Sequence, residues 1–113
     1  MLLVVPIMSL TFPEIPVPER LTVSSITASS ASLSWLVSPD MKQTPHSFLV
    51  SYQSEGTEPK SISTESCSTV ITGLKPGTEY TIKVYTELRY GGQSQSATVQ
   101  MIAGELHIII LTP

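Results

Sequence analysis

Between residues 18 and 103 apolar side chains return at every second position in short bursts, the period of a β-strand with one buried face. Leu21 and Val23 alternate with Thr22 and Ser24, and Ile26 follows a Ser24–Ser25 pair suited to a bulge. Leu33 and Trp35 are set off by serines. Phe48, Val50 and Tyr52 form a third run, Ile62 a fourth and Thr69 with Ile71 a fifth. Tyr80, Ile82 and Val84 make a sixth, and Ala97, Val99 and Met101 a seventh. Turn signals separate them: Ser38-Pro39-Asp40, Glu55-Gly56, Pro76-Gly77 and Gly91-Gly92. No segment carries an apolar stripe at helical spacing. Seven one-faced strands in a chain of 113 residues bury their apolar sides most simply as two antiparallel sheets packed face to face. The expected class is all-β, a seven-strand antiparallel sandwich.

Serine and threonine supply 30 of the residues, and the pattern places them on the solvent faces of the strands. Charged residues are only 13%, against about 25% in ordinary soluble domains. The net charge is −3, which argues against a nucleic-acid partner, whose binder would carry a basic stripe. Asparagine is absent, so there is no acceptor for N-glycosylation, and the single Cys67 excludes an intramolecular disulfide.

The ends differ from the middle. Residues 1–12 are apolar and uncharged, yet too short and too interrupted by Pro6 to span a membrane, so no membrane insertion is expected. They lack the basic start and small-residue cleavage site of a secretory signal. Prolines at 13, 16 and 18 then read as an extended lead-in to the first strand. Residues 1–16 are thus expected to flank a domain at 17–103. Residues 106–111 form a second β-prone apolar run within a tail at 104–113. Such tails are expected to be disordered or only locally packed; forming an extra strand, they would pair with an exposed edge within the fold or support self-association.

The middle also carries a resemblance. Trp35 in the second run, Phe48-x-Val50-x-Tyr52 in the third, and Leu74-Lys75-Pro76-Gly77-Thr78-Glu79-Tyr80 leading into Ile82 and Val84 are similar to a fibronectin type III domain. Pro18 matches that family's opening proline. The resemblance implies an immunoglobulin-like sandwich of fibronectin type III topology with a tyrosine corner, in which Leu74 plugs one end, Pro76 and Gly77 turn the chain, and the Tyr80 hydroxyl bonds nearby backbone. Trp35, Tyr52, Leu74, Pro76, Tyr80, Ile82 and Val84 are the structural core it implies. The paired cysteines of antibody-like domains are missing. So is the Arg-Gly-Asp tripeptide of one member's loop between the sixth and seventh strands, and integrin binding by that route does not carry over.

Chemistry is sparse. Cys67, His46, His107 and Asp40 are the only residues of their kinds, and the layout puts His46 and Cys67 on different sheets, against a nucleophilic dyad. No zinc or calcium spacing, phosphate cradle or nucleophile elbow occurs, so neither catalysis, cofactor nor metal is expected. What remains is surface. Leu88, Arg89 and Tyr90 fall between the sixth and seventh strands, and an exposed Met41 is expected in the loop after the second. Leu49, Lys83 and Tyr85 are expected on the outer face of the third and sixth strands. Tyr and Arg most often dominate interface energies. The family's settings imply a protein-interaction or spacer module of an adhesion, matrix or receptor protein, extracellular or at the cell surface. An intracellular module of a muscle-type or scaffold protein, and a spacer in a secreted carbohydrate-active enzyme, are the alternatives.

Overall fold

The computed structural model describes residues 15–104. The expectations for the two apolar tails lie outside these residues. Seven strands follow in chain order: β1 (Glu19–Ile26), β2 (Ala31–Leu36), β3 (His46–Ser54), β4 (Lys60–Thr64), β5 (Ser68–Ile71), β6 (Glu79–Leu88) and β7 (Ala97–Ile102). They form an antiparallel three-stranded sheet, β1-β2-β5, and an antiparallel four-stranded sheet, β4-β3-β6-β7. Among the described residues the only helical element is one 3₁₀ turn, Pro39–Met41.

Alternation decides what each sheet buries. Ala31, Leu33, Trp35 and Ile71 line the inner face of the smaller sheet, and Phe48, Val50, Tyr80, Ile82, Val84 and Met101 that of the larger. Trp35 and Phe48 meet edge to face with ring centroids 5.4 Å apart, a favoured aromatic geometry. Tyr52 packs half-buried at the margin of this core. Two inner positions that were not expected extend the pattern. Thr86 continues the parity of β6 and is fully buried, and Ala103 is sealed just beyond β7.

The pairing of β1 with β2 is irregular at two places. Val23 faces Leu33 while Ser25 faces Ser32, so Ser24 is the extra residue of a bulge, its hydroxyl donating to the Ser32 carbonyl at 3.3 Å. A second shift lies between Glu19 and Thr22, where Arg20 has a φ of 54°. The first shift sits at the serine pair read as a bulge site, whereas the second has no comparable sequence signal.

The crossing from β5 to β6 is held by side chain and backbone together. Leu74 is buried, and its amide donates to the Ser29 carbonyl at 2.9 Å. The Lys75 amide donates to the Tyr80 hydroxyl at 2.9 Å while the Tyr80 ring is buried. Gly77 makes the turn at φ +74° and donates to the Ala103 carbonyl at 2.6 Å, tying the end of β7 to the same corner. Pro76 corrects an expectation: it was placed in the core but is exposed. It acts through its fixed φ at the turn rather than through burial.

Two substitutions test this packing. Tyr80→Phe keeps the ring and strands the Lys75 amide, so a urea titration should show a loss of about 1–2 kcal/mol. Thr86→Val should do the reverse. The Thr86 hydroxyl is buried without a hydrogen-bond partner, so an isosteric methyl should leave stability unchanged or raise it by about 1 kcal/mol in the same titration.

Candidate interaction surface

One end of the sandwich gathers the β2–β3 loop, the β4–β5 turn and the β6–β7 loop, because the strands that carry them all end there. The β6–β7 loop is short and internally bonded. The Leu88 amide donates to the Gly92 carbonyl at 3.0 Å and the Gly91 amide returns to Leu88 at 3.1 Å. Gly91 and Gly92 take φ of +114° and +105°, which side-chain-bearing residues rarely adopt. Below this ring Glu87 bridges Gln93, whose side-chain amide donates to the Glu87 carboxylate at 2.9 Å. Ser94 closes the base: its amide donates to the Thr86 carbonyl at 2.8 Å, and its hydroxyl accepts from the Thr86 amide at 2.9 Å.

On this frame Tyr90 stands at the tip with 87% of its surface exposed. Arg89 is exposed beside it; its amide donates to the Pro45 carbonyl at 3.1 Å, and its guanidinium lies 3.9 Å from the Glu65 carboxylate. Both side chains of that pair are mostly solvated, so the pair contributes little energy and leaves Arg89 available to a partner. Leu88 was expected in the loop, but it ends β6 opposite His46 and is half-buried, which makes it a support of the loop.

Met41 is a clear correction: expected on the surface, it is only 4% exposed. The Ser38 hydroxyl accepts from the Asp40 amide at 3.2 Å, and the 3₁₀ turn begun by Pro39 swings Met41 inward, its amide donating to Ser38 at 2.9 Å. A loop full of turn residues looks solvated in sequence, yet one turn of helix buries its third residue.

On the outer face of the larger sheet Leu49 and Tyr85 are directly opposed in the β3–β6 ladder, both half-buried, with exposed Lys83 beside Tyr85's row opposite Ser51. Serines at 47, 51, 61 and 63 surround them. At the far end of that face lies a polar groove that sequence reasoning did not single out, lined by Gln53, Thr57, Lys75, Thr81, Lys83 and Gln100. Its side chains come from β3, β6, β7 and two turns, and no local spacing unites them.

His46 and Cys67 stand apart. The His46 ring donates from Nδ1 to the Thr44 carbonyl at 2.7 Å and meets Phe48 edge to face at 5.3 Å. Cys67 precedes β5 of the other sheet, half-buried against the core. Burial raises its thiol pKa, the opposite of what a nucleophile needs. Among the described residues no group of His, Cys, Asp and Glu is placed to hold a metal ion, and no helix is long and apolar enough to cross a membrane.

Two antiparallel sheets packed face to face, with this corner joining them, define an immunoglobulin-like β-sandwich module, and comparison with known proteins supplies its family. Residues 16–102 match the model of the fibronectin type III domain, and the chain belongs to that family. It is similar to mouse tenascin-N, with 37% identity over 76 residues that make up 66% of this chain and 5% of the mouse protein. Human tenascin-N gives 34% over 77 residues, 6% of its length. The chain therefore spans a small part of these curated relatives. Among solved structures the FN3 domain of human collagen XX superposes with a TM-score of 0.64 at 28% identity, covering 80% of this chain and 99% of that one.

The raised thiol pKa has a measurable result. Near neutral pH, iodoacetamide should alkylate Cys67 more slowly in the folded protein than in urea, followed by intact-mass spectrometry.

Proposed function

We propose that this domain is a non-catalytic protein-interaction module of a larger extracellular multidomain protein, and that it grips its protein partner through the β6–β7 loop. The observation that carries this reading is Tyr90, held almost wholly in solvent at the tip of a loop that its own hydrogen bonds keep in one shape. A large aromatic side chain on a rigid tip loses little entropy on binding, and the neighbouring Arg89 adds charged, bidentate contacts. Loops on a sandwich of this kind are natural places for recognition, since the sheets fix their position.

The similarity to a small segment of tenascin-N supports a place in a longer, multidomain chain. The family's matrix, adhesion and receptor settings support an extracellular location. Leu49, Lys83 and Tyr85 form a secondary contact face. It is weaker, because Leu49 and Tyr85 are half-buried and offer a partner only a small apolar patch.

The test is binding of the purified domain, by biolayer interferometry, to a panel of purified matrix proteins and cell-surface ectodomains. Arg89→Ala with Tyr90→Ala should weaken a partner's binding at least about tenfold while shifting the urea midpoint negligibly, since both side chains are exposed. Partners that bind the double variant at full strength would remove the loop from the interface. A domain that binds no member of the panel would be read as a spacer.

A further inference from the structure

The residue that completes the β6–β7 loop comes from outside it. A Cβ built on Gly92 would stand 2.9 Å from Cδ1 of Ile15 and 4.0 Å from Cδ1 of Leu88. Ile15 therefore fills the room that a side chain at position 92 would need. It belongs to the lead-in ahead of β1, is half-buried, and is followed by Pro16 and by Pro18, which is buried. The prolines fix φ along this stretch, so the lead-in runs as a stiff strut between its seat on the loop and the start of β1 at Glu19.

We propose that Ile15 is a positioning residue for the recognition loop, coupling partner binding to the path of the chain that enters the domain. Seated on Gly92, it backs the ring of bonds between residues 88 and 92 and keeps Tyr90 turned outward. Drawn off, it leaves the loop held by the Leu88, Arg89 and Gly91 amides, with two glycines of wide conformational range at its tip. The coupling is reciprocal: a partner that holds the loop closed stabilises the seat, and a pull on the lead-in loosens the partner's grip. Position gives the seat its sensitivity, because a pull arriving upstream of residue 15 reaches it before the β1–β2 ladder. This inference rests on the reading of the β6–β7 loop as the partner site.

Amide hydrogen exchange, followed by NMR on the whole chain without any partner, tests the seat. In Ile15→Ala the Leu88 and Gly91 amides should exchange at least about tenfold faster, while the Lys75 and Ala103 amides at the opposite end keep their rates. Ile15→Leu, which keeps an apolar side chain in the seat, should leave the same two amides close to their original rates. Unchanged exchange at Leu88 and Gly91 in Ile15→Ala would overturn the proposal, as would an equal acceleration at both ends. The binding experiment separates the two ideas. Local loosening with a partner indifferent to Arg89→Ala and Tyr90→Ala keeps the seat and ends the reading of the loop as the partner site. Binding that depends on Arg89 and Tyr90 with no local loosening keeps that reading and ends the seat.

Discussion

The packing of one sheet's inner face on the other is the interaction on which everything else in this domain depends. Each sheet satisfies its backbone within its own ladders, so what holds the two together is burial of Leu33, Trp35 and Ile71 against Phe48, Val50, Ile82 and Val84. Each such side chain contributes about 1.5–3 kcal/mol when it leaves water. The Trp35–Phe48 contact joins the middle strands of both layers. Core positions are also unforgiving of polarity: the Trp35 indole nitrogen and the Thr86 hydroxyl are buried without partners, and each costs stability that the surrounding apolar contacts offset.

From that core the two ends of the sandwich diverge in character. At one end the chain must cross between sheets, and Leu74, the Tyr80 hydroxyl and the Gly77 turn bind the crossing to the last strand through Ala103. That end is stitched. At the other end the loops are tied mainly to themselves and to neighbouring loops, as where the Arg89 amide meets Pro45. An end whose loops answer to each other rather than to the core can vary its side chains at little cost to the fold, and the recognition site proposed above falls at that end.

The fold was legible because a strand writes its burial into the sequence at every second residue. All seven strands fall on the alternating runs, and the Leu74–Tyr80 segment announces its corner through residues close in the chain. What was illegible depended on distant partners. Met41 sits in a run of turn residues, and only the 3₁₀ turn aims it inward. Pro76 is spelled into the corner motif yet works from the outside. The contact of Ile15 with Gly92 joins residues 77 positions apart and follows no periodicity. A pair of glycines reads as a turn in any sequence; that one of them makes room for a side chain from the lead-in is a tertiary fact.

The serine and threonine content sharpens where a partner can hold. On the smaller sheet the outward residues include Thr22, Ser24, Ser25, Ser32, Ser34 and Ser68, and several of these hydroxyls are already engaged with neighbours on the same face. Serine and threonine seldom anchor interfaces, since a short hydroxyl side chain buries little area and exchanges one hydrogen bond with water for another. Leu36 and Val70 are exposed on that sheet, but as single apolar side chains they are ordinary surface. Tyr90 differs in kind, combining a large ring, near-complete exposure and a hydrogen-bonded platform, with a guanidinium alongside. On the proposed reading affinity concentrates at that loop, and any element that sets the loop's shape sets the affinity with it. Ile15 of the lead-in lies against Gly92, so under that proposal the entry of the chain and the recognition of a partner would share one small patch of surface.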